Sequence, residues 1–561
     1  MKAKSLCLYL CLSSAVGFAQ TVETTVPIRS EDSFLNFPVS ESSDQVTARI
    51  VLDGRSLDEF EIRLAGGEPQ YWVFFDVTKY RGKTLVVQVD DPEGRRKLVQ
   101  SLHAAPRFPG QDTLYREKYR PQVTFSSRRG WHNDPNGLIR YNGEYHMYYQ
   151  HNPYGWDWGN MHWGHAVSRD LLHWEELGDV LLTPDRRHAA FSGTATVDPQ
   201  NTAGFRRGGV DPLIVFYTRT GSGEHIALSY DNGRTLEEYG GNPVLKHRGR
   251  DPRVFRHEPS AQWVMVVYDE SATRPMVPDQ KAMLRRLAIH TSPDLKNWTY
   301  QSSIEGIYEC PEMFEIAVEE QPGVTKWVVY DADGEYLVGR FDGKTFTPEQ
   351  SFKQYNYGGG VHFYASQIFA NMPKQDGRRL QVGWVRDIPA TGMAFNQSMT
   401  FPAELKLRKA FDGLRLTPTP IREIANLHRQ SHVFTNKLIQ ENAGFLAPIQ
   451  GDVLHIIAEF DAGDAIGIGL NINGYRFEYD QLESTIAGVN YIPPTRDNFK
   501  IEAIVDKTNI QLFVNDGEVY AVAALNSVDA EKVVETFARG GRNFKAILKR
   551  LEVHELESVW R

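Results

Sequence analysis

The chain has 561 residues, too many for one ordinary hydrophobic core, so two or three domains are expected. Hydrophobic residues make up 41% and charged residues 24%, which is typical of a soluble globular protein. The formal net charge is −9 and no stripe of Lys and Arg is visible, which argues against a nucleic-acid-binding protein and favours a neutral or weakly polar ligand.

The first residues have the pattern of a secretory signal. Lys2 and Lys4 form a basic start, and the apolar run that follows ends at Phe18, too short to span a bilayer comfortably. Gly17 and Ala19 are the small residues expected before a cleavage site. We predict a signal peptide over residues 1–19 and an exported protein, periplasmic or extracellular. One cysteine remains after the cut, so no disulfide is expected.

Residues 20–118 are predicted to form an accessory β-domain followed by a linker. Short apolar runs, such as residues 71–75 and 85–89, alternate with turns rich in Gly and Asp, which is the pattern of a small β-sandwich. A polar, Pro-containing stretch from His103 to Tyr119 connects this domain to the next one.

A strand-rich unit recurs between residues 119 and 412. Its apolar strands lie at residues 145–149, 213–217, 263–268, 327–330 and 380–384. The pattern S-x-D-L-x-x-W occurs at residues 168–174 and again at residues 292–298. An Asp followed by turn-forming residues caps a hairpin through side-chain hydrogen bonds to the backbone. Five such units favour a five-bladed β-propeller, whose axial channel collects residues from every blade, over the alternative of two packed sheets.

Residues 413–561 return to simple alternation of apolar and polar positions. Residues 453–457, 466–470 and 510–514 are predicted strands, and Asn515-Asp516-Gly517 is a hairpin turn. We expect a C-terminal β-sandwich here. Long helices are nearly absent from the whole pattern, so the predicted fold class is all-β.

Three acidic residues, Asp134, Asp251 and Glu309, lie beside or one residue away from a proline. Proline fixes φ and interrupts regular strand pairing, and in a propeller such interruptions fall where a side chain can point into the channel. For any one of these acids, capping of a turn is the simpler interpretation. Three acids at repeat positions, with aromatic residues around the first, favour a catalytic site.

The surrounding motifs make the pattern specific. Trp131-His132-Asn133-Asp134-Pro135-Asn136-Gly137 resembles the W-x-N-D-P-N-G block of glycoside hydrolase family 32, which contains invertases, inulinases, levanases and fructan exohydrolases. The other matching motifs, in chain order, are residues 149–153 (Y-Q-x-N-P), 158–166 (W-G-N), 191–193 (F-S-G), 250–252 (R-D-P), 309–310 (E-C) and 363–365 (F-Y-A). The resemblance covers about residues 119–561.

The resemblance implies a role for each acid. Asp134 corresponds to the nucleophile, Glu309 to the acid/base, and Asp251 to the residue that binds fructose hydroxyls and favours the transition state. A retaining glycosidase needs two carboxyls that differ in protonation, one to attack and one to donate a proton. Arg250, beside Asp251, supplies positive charge that favours ionised carboxylates.

The family's sugar pocket corresponds to five further side chains. They are Asn133, Gln150, Trp158, Phe191 and Ser192. Asn and Gln offer donors and acceptors to ring hydroxyls, and Trp offers a stacking face; Arg250 is also assigned to substrate binding. His132 replaces the usual apolar residue before Asn133, which predicts a more polar pocket rim.

No metal or cofactor is predicted. His162 and His165 have a spacing that suggests a metal pair, but alternation on a strand directs them to different faces, and family 32 needs no metal. Cys310 is expected to be a buried apolar residue beneath the acid/base.

The predicted function is a retaining β-fructosidase that releases terminal fructose from levan or inulin, with sucrose as a further candidate substrate. The N-terminal β-domain resembles that of gut-bacterial family members acting on fructans, which favours a polymer over sucrose alone. The alternatives are endo-acting cleavage, fructosyl transfer, and a non-catalytic fructan-binding protein. The last would be expected to lack a carboxylate, and all three are present. Neither a nucleic-acid partner nor a membrane span is predicted.

Overall fold

The computed structural model describes residues 21–90, 94–270, 285–350, 353–354, 362–410, 412–440, 444–449, 451–486, 489–490, 498–525, 529 and 532–560. The predicted signal peptide lies outside these residues. Among them the fold is all-β, as the sequence predicts, with a single α-helix, α1 (Arg96–Ser101), and short 3-10 turns at Thr78–Tyr80, Gln111–Thr113, Glu258–Ser260 and Arg422–Leu427. No helix in the described part is long and apolar enough to cross a membrane.

The N-terminal part consists of two antiparallel sheets. Its strands are β1 (Thr21–Pro27), β2 (Phe34–Val39), β3 (Val46–Leu52), β4 (Arg55–Ile62), β5 (Tyr71–Asp76), β6 (Thr84–Asp90) and β7 (Ala104–Ala105). The strand orders are β1-β6-β3-β4 and β5-β2-β7. Alternate side chains, among them Leu35, Phe37, Val73 and Val87, are fully buried in a shared core. Burial on alternate positions is the reason these segments are strands.

The next part carries the predicted site residues. Its strands are β8 (Gly130–Tyr141), β9 (Glu144–Asn152), β10 (His162–Ser168), β11 (Trp174–Leu181), β12 (Ala190–Val197), β13 (Leu213–Arg219), β14 (Gly223–Ser229), β15 (Glu237–Glu238), β16 (Gly249–His257), β17 (Gln262–Asp269), β18 (Arg286–Ser292), β19 (Thr299–Glu305), β20 (Glu312–Ala317), β21 (Thr325–Tyr330), β22 (Glu335–Phe341), β23 (Phe346–Pro348), β24 (Lys353–Gln354), β25 (Tyr364–Ile368), β26 (Arg379–Val385), β27 (Phe395–Asn396), β28 (Ser398–Met399), β29 (Ala403–Ala410) and β30 (Gly413–Pro420).

These strands form consecutive sheets along the chain. The orders are β11-β10-β9-β8-β27, then β12-β13-β14-β15, β16-β17-β18-β19, β20-β21-β22-β23 with β24 on β22, and β25-β26-β29-β30 with β28 on β26. The first strand of the second sheet, β12, contacts both β8 and β16, and β25 contacts β8. The opening strands β25, β8, β12 and β16 therefore lie side by side in that order.

The repeated turn forms the hydrogen bonds that its sequence predicts. Asp170 Oδ1 accepts from the backbone N–H groups two and three residues further on, at 3.0 and 2.9 Å. Asp294 Oδ1 accepts from the equivalent groups at 3.0 and 2.9 Å. The indole N–H of Trp174 or Trp298 then donates to the carbonyl three residues earlier, which fixes the turn to the following strand.

The C-terminal part again contains two sheets. Its strands are β31 (His428–Ile439), β32 (Leu446–Ala447), β33 (Leu454–Asp461), β34 (Ala465–Ile472), β35 (Tyr475–Asp480), β36 (Thr485–Ile486), β37 (Val489–Asn490), β38 (Phe499–Val505), β39 (Asn509–Val514), β40 (Val519–Ala524), β41 (Val534–Gly540) and β42 (Ala546–Leu556). The orders are β31-β42-β33-β38-β39-β40 and β32-β41-β34-β35-β36-β37. The two sheets share one buried apolar core, while Ile504 and Phe513, in the first of these sheets, belong to a second core shared with the preceding part.

Candidate active site

Local irregularities in the opening strands place the functional side chains. Strand pairing shifts register in β8 between His132 and Pro135, in β12 between Ala190 and Gly193, and in β16 between Arg250 and Arg253. A bulge turns a side chain out of the regular alternation and re-aims it. Each shift contains at least one predicted site residue. In β8 and β16 a proline lies at the shift, and proline has no N–H group to donate to the strand ladder.

The backbone is also strained at Asp251, within the register shift of β16, and at Cys310, just before β20. Asp251 has φ of +64° and Cys310 has φ of +51°, in the left-handed region that ordinary L residues rarely adopt. Such conformations persist only where the surrounding structure holds them, and they concentrate at functional sites. The strain directs the side chain of Asp251 and the Glu309-Cys310 segment toward the same space.

One cavity of about 310 Å³ collects every predicted site residue. It is lined by Asn133, Asp134, Gln150, Trp158, Phe191, Ser192, Arg250, Asp251, Glu309, Tyr364 and Trp384. The first nine of these are the nine side chains assigned from the sequence, and they come from positions up to 176 residues apart. The last two were not assigned.

Asp134 retains partial exposure to the cavity, and two neighbouring side chains donate hydrogen bonds to its carboxylate. Ser192 Oγ donates to Oδ2 at 2.6 Å, and Asn133 Nδ2 donates to Oδ1 at 3.0 Å. Asn133 is itself oriented by Trp131, whose indole N–H donates to its Oδ1 at 3.1 Å. Burial raises the pKa of Asp134, and the hydrogen bonds from Ser192 and Asn133 oppose that rise. The two donors therefore stabilise the ionised form of this carboxylate.

Glu309 lies between a cation and a phenol. Arg250 Nε donates to Glu309 Oε2 at 2.8 Å, and Tyr364 Oη donates to Oε1 at 2.6 Å. The same guanidinium forms ion pairs with Glu270 and, at 3.6 Å, with Asp251. Burial and the charge of Glu309 raise the pKa of Tyr364, which keeps its hydroxyl protonated as a donor. Arg250 thus supplies positive charge to Glu309 and Asp251 together, as the sequence predicts.

Asp251 is buried and contacts Cys310. The backbone N–H of Cys310 donates to Asp251 Oδ2 at 3.2 Å, and the Cys310 thiol lies 3.5 Å from the same oxygen and 3.6 Å from Asp134 Oδ2. Burial and the charge of Glu309 raise the pKa of Asp251 well above its usual value, while Arg250 opposes the rise. Burial and the adjacent carboxylates also raise the pKa of the Cys310 thiol, so it is a weak donor between two acids.

Aromatic side chains form the walls of the cavity. Trp158 meets Phe191 edge to face, with ring centroids 6.1 Å apart. Trp384 makes the same kind of contact with Trp131 at 5.8 Å and with Tyr364 at 6.2 Å. Flat apolar faces beside hydrogen-bonding groups match a sugar ring, which has C–H faces and hydroxyl edges.

The prediction that His132 makes the pocket rim more polar is wrong. His132 is fully buried, and its ring packs against Phe125 and Tyr149, with Nδ1 facing the backbone N–H of Ser127 at 3.3 Å. The register shift begins at this residue, so its side chain points to the core while Asp134 points to the cavity. Burial lowers the pKa of His132 to about 3, and the ring is neutral.

The histidines at positions 162 and 165 do not share a metal. His162 Nε2 pairs with Asp58 Oδ1 at 2.7 Å, whereas His165 Nε2 faces His146 Nδ1 at 3.1 Å. Within the described residues a different trio, His428, His455 and His554, has nitrogens within 4.8 Å of one another. The rings of the first and last lie parallel at 3.9 Å, so their in-plane lone pairs do not converge on one point.

Tyr364 and Trp384 are the cavity residues that sequence reasoning missed. Tyr364 stands inside the F-Y-A motif, so the motif was a signal for it, but only the structure brings its hydroxyl to Glu309. Trp384 is one of several strand tryptophans, and no local pattern separates it from a core residue.

Comparison with known proteins decides the family. The model for the glycosyl hydrolases family 32 N-terminal domain matches residues 125–420. This chain belongs to glycoside hydrolase family 32. It is therefore a glycoside hydrolase, and the resemblance drawn from its motifs is confirmed.

Curated relatives and a solved structure agree with this assignment. A levanase of Bacillus subtilis is 35% identical over 508 residues, covering 80% of this chain and 72% of the relative. An extracellular exo-inulinase of Aspergillus niger is 28% identical over 538 residues, covering 80% and 96%. The crystal structure of an exo-inulinase from Aspergillus awamori superposes with a TM-score of 0.69 at 24% identity, covering 80% of this chain and all of that one. That likeness bears on the fold.

Proposed function

We propose that this family 32 enzyme is a retaining β-fructosidase that releases terminal fructose from β-fructans, with Asp134 as nucleophile, Glu309 as acid/base and Asp251 as the residue that binds sugar hydroxyls. One observation carries the proposal. Three carboxyls, one guanidinium and a set of aromatic and amide side chains meet in a single cavity of about 310 Å³. The relatives with levanase and exo-inulinase names support a fructan as substrate.

The geometry suits a double displacement. Glu309 donates its proton to the glycosidic oxygen as that bond breaks, and Asp134 Oδ attacks the anomeric carbon of the fructosyl ring to form a covalent ester. The deprotonated Glu309 then takes a proton from water, the water oxygen attacks the same carbon, and Asp134 leaves. Arg250 and Tyr364 hold Glu309 in place through both steps. Asp251 faces the hydroxyls of the ring and stabilises the oxocarbenium-like state.

The pocket and the chain organisation favour exo action on an external polymer. The cavity volume lies at the small end of the range for ligand pockets, about 300–1,000 Å³, which suits a terminal sugar residue. We place the site in a five-bladed β-propeller (119–412), preceded by an accessory β-domain and linker (20–118) and followed by a β-sandwich (413–561). The signal peptide (1–19) and the extracellular relative support export.

The alternative activities differ in which bond of the fructan is cleaved and in which molecule accepts the fructosyl group. An endo-acting levanase or inulinase would need an open cleft rather than this pocket, and a fructosyltransferase would deliver the covalent fructosyl group to a sugar instead of water. A binding protein without activity would not need the donors that hold Asp134 and Glu309.

The deciding experiment is incubation of the purified enzyme with levan, inulin and sucrose, followed by separation of the products by chain length. Fructose alone supports exo hydrolysis, a ladder of intermediate lengths supports endo cleavage, and products longer than the substrate support transfer. Asp134→Asn should abolish turnover and leave sugar binding intact. Normal turnover by this variant would contradict the assignment of the nucleophile.

A further inference from the structure

The loop that carries Trp158 is built jointly with the N-terminal sheets. This loop, residues 154–160, connects β9 to β10. At its start, Tyr154 stacks on Phe60 with ring centroids 3.5 Å apart, and its hydroxyl donates to the buried Asp58 at 2.6 Å. Tyr154 belongs to the apolar core of the N-terminal part. The first residue of the loop is therefore fixed by a domain that the family model does not include.

The end of the loop is fixed in the same way. Asn160 Oδ1 accepts from the backbone N–H of Glu61 at 2.8 Å, and Asn160 Nδ2 donates to the carbonyl of Glu61 at 2.8 Å. The amide side chain thus pairs with β4 as another strand would. The same Nδ2 donates to Asn152 Oδ1 at 2.9 Å, which ties β4 to the end of β9.

Trp158 lies between these two fixed points and is exposed. Its side chain is 58% exposed, although large aromatic residues are mostly buried in folded proteins. Its indole meets the ring of Phe191, another wall of the active-site cavity, in an edge-to-face contact. A rigidly held and exposed aromatic side chain loses little entropy when a ligand stacks on it.

A second cavity, the junction cavity, is lined by the same tryptophan. Its volume is about 240 Å³, and Trp158 lines both this cavity and the active-site cavity. The connections between strands of the N-terminal part contribute Glu41, Gln45 and Arg63, and the loop contributes Asp157. Carboxylate, amide and guanidinium groups around an aromatic face are the chemistry that binds sugar hydroxyls and C–H faces.

We propose that the junction cavity is a distal fructosyl-binding subsite, which holds the polymer chain beyond the bond that is cleaved. The inference rests on the proposed β-fructosidase function. The terminal fructose occupies the active-site cavity, the chain passes over Trp158, and a following residue meets Glu41, Gln45 and Arg63. The N-terminal part would then select for chain length, a role that the accessory position of this domain in the sequence does not reveal.

The test removes hydrogen-bonding groups of the N-terminal wall only. Glu41→Ala/Gln45→Ala deletes an acid and an amide that line the junction cavity and do not line the active-site cavity. Because Glu41 also accepts a hydrogen bond from Tyr71, Gln45→Ala alone serves as a second variant at an exposed position. The matched control is Glu23→Ala/Gln88→Ala, which deletes an exposed pair of the same residue types on β1 and β6.

The readout is kcat/KM for sucrose and for fructo-oligosaccharides of three to six residues. We expect kcat/KM for the longest oligosaccharide, divided by kcat/KM for sucrose, to fall about tenfold in the double variant and about threefold in Gln45→Ala. The fall should come mainly from KM, as expected for the loss of one or two hydrogen bonds. The control should keep the wild-type ratio. An unchanged ratio in both variants, or an equal loss for sucrose and long chains, would overturn the subsite.

A binding measurement separates this inference from the proposed function. The inactive Asp134→Asn enzyme is titrated calorimetrically with the same sugars. If the wild-type enzyme releases no fructose from any substrate, the proposed function fails. The subsite is then judged by affinity alone: it stands if affinity rises with chain length and the Glu41/Gln45 variant removes that rise, and it fails otherwise.

Discussion

Ser192→Ala tests how Asp134, the proposed nucleophile, is kept ionised. The Ser192 hydroxyl donates to Asp134 Oδ2 at 2.6 Å, and this hydrogen bond opposes the rise in the pKa of Asp134 that burial causes. The bond stabilises the ionised carboxylate more than the protonated acid. Its loss therefore raises the pKa of Asp134 further, and the attacking form is populated only at higher pH.

The magnitude follows from the strength of a hydrogen bond to a charged group. Such a bond contributes about 1.5–3 kcal/mol, and a shift of one pKa unit corresponds to about 1.36 kcal/mol. We expect the acidic limb of the kcat/KM profile to move up by about 1–2 pH units. On the acidic side of that limb the variant should be about 10–100-fold slower than the wild type, and near the plateau the difference should shrink.

The assay is kcat/KM for sucrose between pH 3.5 and 8. Ser192→Thr keeps a hydroxyl and should restore most of the wild-type profile. Ser168→Ala removes a serine hydroxyl that donates to Asp170 at 3.0 Å outside the cavity, and it should leave the profile unchanged. A larger KM for Ser192→Ala with the acidic limb in its original place would refute the reasoning and assign the hydroxyl to sugar binding alone.

Three further predictions concern neighbouring groups. Tyr364→Phe removes the 2.6 Å hydrogen bond to Glu309 and should lower kcat about 10–100-fold in steady-state assays, with the fold intact by circular dichroism. Cys310, whose raised pKa keeps it a thiol, should resist iodoacetamide at pH 7.5, as measured by mass spectrometry; rapid alkylation of the folded enzyme would contradict this. Burial lowers the pKa of His132 to about 3, so the free energy of unfolding is not reduced by this residue above about pH 6.5 and falls as the pH drops below that value. His132→Leu should therefore reduce the loss of unfolding free energy between pH 7 and 4.5 by about 2–3 kcal/mol, as measured by urea unfolding. A loss equal to that of the wild type would contradict this prediction.

The sequence predicted nine site residues, which the structure brings together in one cavity, and it predicted the strand-rich organisation. A motif such as Trp131–Gly137 contains a carboxylate and an amide together with a proline that interrupts strand pairing. All of these features lie within a few residues of one another, so they can be recognised in the sequence. The turns at Asp170 and Asp294 were predictable for the same reason, because their hydrogen bonds join residues two or three positions apart.

Contacts between segments that are far apart in the chain could not be predicted from the sequence. The direction of the His132 side chain depends on where β8 shifts its register, and a shift of one residue exchanges the core face for the cavity face. For that reason His132, two residues before Asp134, was predicted at the pocket rim but lies in the core.

The proposed acid/base, Glu309, shows most clearly what the sequence predicts and what the tertiary structure decides. Sequence alone supplied Glu309 and Arg250, but their hydrogen bond joins residues 59 positions apart, and Tyr364 approaches from 55 positions further along the chain. The pairing of Asn160 with Glu61 spans 99 positions and connects the N-terminal sheets to the pocket loop. Local patterns determine which residues are strands, turns and candidate acids, because those features depend on short-range sterics and hydrogen bonds. The packing of separate sheets alone decided which of these residues meet, and the junction cavity beside Trp158 is a product of that packing.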